Sequence, residues 1–238
     1  MSYFDQAEFA DNPEPRCPVV LCLDTSGSMK GDAIGQLNEA LTHFSSELKG
    51  DSLASLRVEV AVVTFGGSVR ALGVHADDSG EDAGFDPGKS FTTVDLFAPP
   101  ELKAGGGTPM GEAVRKSLEL LRARKEIYKN NDLDYFRPWM FLITDGKPTD
   151  SWESAAEQAR LEDTRKGLLF FGIGVEGAEM ETLAKFSPEN RPPMKLRGLA
   201  FSELFQWLSR SLSAVAHSKV GDQIPLPPVG WAEVDTSS

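Results

Sequence analysis

Positive charge is in short supply in this chain. Lys and Arg number 24 against 36 Asp and Glu over 238 residues, a net charge of −12. Nonspecific binding to nucleic acid or anionic lipid requires a basic face, so neither partner is expected. No apolar run approaches the roughly 18 residues of a membrane span, and the opening MSYFDQAEFADNPEPR has neither a basic start nor an apolar core of the secretory kind. Cysteine is scarce as well. Cys17 and Cys22 stand five apart on one expected strand, hence on opposite faces, where no bridge can form between them. Reduced thiols and a cytoplasmic protein are the expectation. No internal repeat is present.

What the chain does have is enough apolar sequence for a sizeable core, 40% of its residues. Near-continuous apolar runs at 18–23, 57–65, 138–144 and 168–175 predict strands covered on both faces, as in a mostly parallel sheet. Helical stripes lie between and after them. Ile34, Leu37, Leu41, Phe44 and Leu48 mark one helix, and Met110, Val114, Leu118 and Leu121 a second. Asp150 with Glu153 reads as a capping box opening a third at about 151–166. Phe201, Leu204, Phe205, Leu208, Leu212 and Val215 mark the last. The alternation predicts a doubly wound α/β fold with helices on both faces of the sheet. The run 69–74 follows its predecessor after only Gly66-Gly67-Ser68, which permits a hairpin but no crossover, so one antiparallel edge strand is expected. The acidic stretch DDSGEDAGFD at 77–86 fails the EF-hand spacing and reads as a solvated loop. The segment with PLPP (225–228) and Trp231 reads as a tail packed on its own domain, with a recognition peptide as the alternative.

Polar groups collect at the strand ends. Asp24 follows the first strand in LCLDTSGSM, with Ser26 and Ser28 at alternate positions, and Asp145 follows the strand at 138–144 in ITDGKPTD. The helix after Gly105-Gly106-Gly107-Thr108-Pro109 runs antiparallel to the strand that follows it, so its start lies on the same rim. Ligands of open α/β sheets bind at this carboxyl edge, where strand order reverses. Asp24, Ser26, Ser28, Thr108 and Asp145 thus form an all-oxygen set suited to a hard divalent cation, Mg²⁺ first, with Mn²⁺ or Ca²⁺ also admissible. Each residue alone also fits a structural role: strand terminator, turn former, or N-cap for Thr108 ahead of Pro109.

The D-x-S-x-S pattern, the later Thr108 and the T-D-G around Asp145 resemble the von Willebrand factor A domain over about residues 15–217. On that resemblance residues 1–14 are an N-terminal extension and 218–238 a Pro-rich C-terminal tail. The phrases NPEPRCPVVLCLDTSGSM, AGGGTPMGEAV and LPPVGW are similar to the bacterial subgroup associated with tellurium resistance and stress response. The resemblance implies a metal-ion-dependent adhesion site at the five rim residues. Ser26 and Ser28 would touch the cation directly, Thr108 directly or through water, and Asp24 and Asp145 largely through water. A cation so held keeps an open position for an acidic residue of a protein partner, such as a kinase or phosphatase encoded nearby. Lys30 and Lys147 flank the two aspartate loops and are candidate partner-binding residues on the rim.

Competing enzyme readings fare worse. Gly172, Gly174 and Gly177 spell G-x-G-x-x-G, but after the fourth long strand rather than in the first strand-helix turn. Gly105–Gly107 precedes no Gly-Lys-Ser/Thr, and no G-x-S-x-G occurs. His43, His75 and His217 fall away from the rim. The stronger rival is a Mg²⁺-dependent phosphohydrolase with Asp24 as nucleophile. Such enzymes resemble D-x-D-x-T, and here Ser26 stands where the second aspartate would act as acid and base. The expectation is therefore a non-enzymatic, metal-dependent interaction module.

Overall fold

The computed structural model describes Phe9 and residues 11–233. Its strands are β1 (Cys17–Asp24), β2 (Val58–Gly66), β3 (Ser68–Leu72), β4 (Thr92–Thr93), β5 (Trp139–Thr144), β6 (Leu169–Gly174), β7 (Met194–Leu196) and β8 (Ala232–Glu233). Its helices are α1 (Asp32–Lys49), α2 (Ala54–Arg57), α3 (Pro87–Ser90), α4 (Met110–Asn130), α5 (Glu153–Thr164), α6 (Met180–Phe186) and α7 (Phe201–Ala216). Among the described residues these strands make one sheet in the order β3-β2-β1-β5-β6-β7-β8, with β4 paired separately to β2. The long central pairs are parallel, and β3 is the expected antiparallel edge strand. Two further antiparallel pairs, β4 on β2 and β8 on β7, are only two residues long, too short to leave a period in the sequence.

Alternation along β1 assigns the two faces. Cys17, Val19, Leu21 and Leu23 enter one core with Leu37, Leu41 and Phe44 of α1 and Phe201, Phe205 and Leu208 of α7. Val20 and Cys22 enter the other, with Val114 and Leu118 of α4, Ala155 of α5 and Leu183 of α6. The two cysteines are free and lie in opposite layers, and burial pushes each thiol up to about 12, first by desolvation. They are inert core residues at neutral pH.

The acidic loop at 77–86 spends its carboxylates on its own turns: Asp78 accepts from the His75 N–H, Asp82 from Gly84, and Asp86 from Gly88 and Lys89. The tail returns to the domain. Trp231 is buried and meets Trp207 edge-on at 5.8 Å, Trp207 donates to the Pro227 carbonyl, and β8 lies along β7. Residues 234–238 of the expected tail lie outside the described residues.

One local reading is corrected. Asp150 and Glu153 do not form a capping box: α5 begins at Glu153 after Trp152, with no side-chain cap. Asp150 instead accepts from Gly111 N and Glu112 N at 2.9 and 2.7 Å, satisfying the first turn of α4. A carboxylate at an N-terminus fits α4 as well as its own helix, and the fold brings the 145–150 loop to the start of α4.

Candidate metal centre

From β1 the chain passes to β2 on one side and later returns to β5 on the other, so strand order reverses between β1 and β5. Asp24 ends β1 and Asp145 directly follows β5, which places both carboxylates at the reversal. Glycines let a third loop close on them. Gly105 N donates to Thr25 O at 2.7 Å, Gly27 N to Gly106 O at 2.9 Å, and Gly67 N to Gly107 O at 2.8 Å. Gly106 has φ +79°, and a Cβ there would stand 2.5 Å from Gly67 Cα, so only glycine permits this contact. The loop then delivers Thr108, which exchanges hydrogen bonds with Thr149: Thr108 N to Thr149 Oγ1 at 3.0 Å and Thr149 N to Thr108 O at 2.9 Å.

The five expected residues come together. Asp24 Oδ1 accepts from Ser26 N at 2.8 Å, Ser26 Oγ and Ser28 Oγ are 3.0 Å apart, and Ser28 Oγ donates to Asp145 Oδ1 at 2.7 Å. A Cβ on Gly146 would lie 3.3 Å from Thr108 Oγ1 and 3.7 Å from Asp24 Oδ2, so both atoms border the same small space over Gly146. Thr108 begins no helix as a cap, because Pro109 holds that position in α4. Asp24, Ser26, Thr108 and Asp145 are buried, while Ser28 is exposed at the mouth. Lys30 is exposed, and Lys147 is paired with Glu179.

Burial raises the pKa of Asp24, partly offset by hydrogen bonds from Thr144 and Ser26, and the charge of Asp145 adds to the rise. Burial likewise raises Asp145, eased by the Ser28 hydroxyl. None of the described ion pairs takes up either carboxylate. Two buried acids facing one another beside three hydroxyls fit a hard cation, which would relieve both the desolvation and the repulsion. Among the described residues no group of three or more His, Cys, Asp or Glu is placed to hold a metal. This set, with two carboxylates and the rest hydroxyls, is of a different make.

Thr144 and Thr149 are the contributors that sequence reasoning missed. Thr144 Oγ1 donates to Asp24 Oδ2 at 2.6 Å and accepts from Gly146 N at 3.2 Å. Their signal was a threonine at each end of T-D-G-K-P-T, directly flanking the aspartate loop. The histidines lie elsewhere: His217 pairs with Asp51, His75 sits beside Asp77, and His43 is exposed. The G-x-G-x-x-G glycines serve packing, since a Cβ on Gly174 would stand 2.3 Å from Met180 Sδ and one on Gly172 would stand 2.9 Å from Ser187 Oγ.

A mostly parallel sheet with an open aspartate-serine rim at its reversal point defines the class as a doubly wound α/β domain. The chain belongs to the von Willebrand factor type A domain family, whose model matches residues 19–202. Inter-alpha-trypsin inhibitor heavy chain H4 from Sus scrofa is 29% identical over 177 residues, covering 70% of this chain and 17% of that protein. The chain thus spans about a sixth of that relative. Among solved structures, the pilus adhesin SpaC from Lactobacillus rhamnosus GG in its open conformation superposes with a TM-score of 0.62 at 13% identity, over 84% of this chain and 30% of that one. Proximal thread matrix protein 1 from the mussel byssus, with a zinc-occupied MIDAS motif, gives 0.52 at 16% identity over 84% and 48%. At these identities the structural likeness concerns the fold. Among the described residues no helix is long and apolar enough to cross a membrane.

Proposed function

We propose that this chain is a metal-dependent protein-interaction module without enzymatic activity. In this reading Asp24, Ser26, Ser28, Thr108 and Asp145 hold a divalent cation, Mg²⁺ in the cell, and an acidic residue of a partner completes its coordination. The observation that carries the reading is the joint placement of two buried carboxylates, neither in a described ion pair, and the Ser26–Ser28 hydroxyls at one mouth. The bound cation supplies the positive charge that attracts the partner's carboxylate. The protein's part is to hold Asp24 by Thr144 and Ser26, and to leave Ser28 open to solvent. The zinc-occupied motif of the byssus protein supports a cation at such a rim, and adhesin relatives support a docking role.

Finer assignments rest on the flanking phrases around Asp24, Thr108 and Trp231. On these we place the chain in a bacterial tellurite and stress-response system, in the cytoplasm, with a kinase or phosphatase encoded alongside it as partner. Its domain spans 15–217, between an extension at 1–14 and a tail at 218–238, and Lys30 and Lys147 border the docking rim. Nothing at the site favours phosphoryl transfer, because Ser26 occupies the acid-base position and Asp24 is engaged by Thr144 and the Ser26 amide.

The test is thermal unfolding with and without Mg²⁺ or Mn²⁺, alongside capture of partners from the native host with and without chelator. Metal should raise Tm by mass action, and Asp24→Ala and Ser26→Ala should abolish the rise. A metal-dependent rise that persists in both variants would remove this site, and capture indifferent to chelator would remove the docking role.

A further inference from the structure

The opposite edge of the sheet carries a second polar feature. The segments that precede β5, β6 and β7 border a cavity of about 840 Å³. Arg137, Arg160, Lys166, Lys185 and Arg191 line it, with Asp163 and Glu189 as its acids. In a chain where acids outnumber bases by 36 to 24, that balance is locally inverted.

The inner part is built rather than incidental. Asp163 is buried and accepts from Arg137 Nη2 at 3.2 Å, Arg191 Nη1 at 2.6 Å and the Phe170 N–H at 2.8 Å. Arg137 is also fixed by the carbonyls of Leu168 and Asp163, at 2.7 and 2.6 Å. Arg191 lies over the Phe171 ring at 5.1 Å. Two guanidinium groups therefore share one carboxylate, leaving a unit of positive charge partly shielded from water. Their planes are held in advance, which lowers the entropy lost on binding an anion. Arg160, Lys166 and Lys185 stand exposed around the mouth, and none of them enters a described ion pair. Pro188, Pro192 and Pro193 stiffen one wall.

We propose that this groove binds a small oligophosphate anion, a di- or triphosphate group, at the end of the sheet opposite the Asp24 rim. The guanidinium nitrogens not spent on Asp163, Leu168 and Phe170, together with three adjustable cations, suit several oxygens on linked tetrahedral centres. The cavity lies within the roughly 300–1,000 Å³ range of small-ligand sites. Long-range repulsion from the net charge of −12 slows approach, but salt screens it beyond about 8–10 Å, so the local cations govern the bound state.

The experiment is calorimetric titration of the full chain with tripolyphosphate at about 0.15 M salt, in EDTA so that no metal contributes. One saturable site is expected, with orthophosphate binding more weakly. The double variant Lys166→Ala/Lys185→Ala should weaken binding by roughly tenfold or more, since charge-assisted contacts are lost, while Tm stays unchanged because both side chains are exposed. Asp24→Ala should bind tripolyphosphate like the parent, which separates this groove from the metal rim. Absence of saturable binding, unchanged affinity in the double variant, or tighter binding of a tetraglutamate peptide would overturn the assignment.

Discussion

The Thr144 hydroxyl donates to Asp24 Oδ2 at 2.6 Å, joining the last residue of β5 to the last residue of β1 across 120 positions of sequence. The same oxygen accepts from Gly146 N, so one hydroxyl orients the first aspartate and shapes the loop that carries the second. Thr144→Val keeps the shape of the side chain and deletes both bonds. A buried acceptor left without its donor costs about 1–3 kcal/mol, so urea unfolding of the metal-free variant should show a loss of that order. Metal affinity should fall as well. Unaltered stability together with unaltered metal affinity would show that the bond positions nothing.

Asp150 supports a different prediction. It accepts from Gly111 N and Glu112 N, so Asp150→Ala should lose about 1 kcal/mol, the usual worth of an N-terminal carboxylate cap. Glu153→Ala, which a capping box would make equally harmful, should stay within about 0.5 kcal/mol. Chemical denaturation of the two variants decides between the arrangements.

These two residues mark what could be read in advance. The five rim residues were legible because each follows an apolar strand or opens a helix, and the alternation of strands and helices fixes which edge those ends share. Asp150 was misassigned because a cap three residues from a plausible partner looks local, while its real partner lies about 40 residues earlier. Thr144 was hidden inside a strand, where a threonine needs no further reason. The basic groove was invisible for the same cause: Arg137, Asp163 and Arg191 belong to three separate connections, and only the parallel sheet sets them side by side.

Proton competition at the rim has a definite sign. Burial raises both Asp24 and Asp145, so each takes up a proton at higher pH than an ordinary carboxylate. The metal needs the ionised forms. Its affinity should therefore be complete near neutrality and begin to fall above the ordinary carboxylate pKa of about 4. Mn²⁺ titrations between pH 7 and 5 read this directly. Asp24→Asn keeps the size of the side chain but removes its charge and turns one acceptor oxygen into a donor, against the Ser26 amide and the Thr144 hydroxyl, so it should abolish the metal response. A metal response that survives in Asp24→Asn would show that the Asp24 charge does not hold the cation.

Glu59 runs the other way. Burial pushes its pKa up, but the charge of Arg124, its hydrogen bonds, the charge of Arg16 and the Tyr128 hydroxyl outweigh that push, and the net direction is down. A carboxylate depressed in the folded state contributes stability above its unfolded value of about 4.3, and that stability is lost as pH falls through the folded value. Glu59→Gln should cost about 3–5 kcal/mol at neutral pH by leaving buried Arg16 and Arg124 without their shared counter-charge. The variant's stability should also fall less steeply in acid than the parent's. Equal acid limbs in guanidine titrations at pH 3 and pH 7 would show that another group governs acid unfolding.

The last prediction concerns the returning tail. Trp231 is buried against Trp207, the Arg197 N–H donates to the Trp231 carbonyl at 3.0 Å, and the Arg197 guanidinium reaches the Gly230 carbonyl. Just beyond it β8 covers the outer edge of β7, which would otherwise offer unpaired backbone groups to another chain. Among the described residues the Trp231 indole Nε1 is buried without a hydrogen-bond partner, so the ring contributes by packing alone. Trp231→Phe should therefore be mild, because the smaller ring keeps most of the apolar contact and removes an unsatisfied donor. Trp231→Ala should cost about 3–5 kcal/mol and free the tail from the sheet edge. Denaturation measures the first effect. Faster hydrogen exchange at Arg197, whose N–H is held by the Trp231 carbonyl, with concentration-dependent aggregation, measures the second. If Trp231→Ala unfolds like the parent and aggregates no more than the parent, the packing of Trp231 contributes nothing to the domain, which favours the alternative of a recognition peptide around PLPP (225–228).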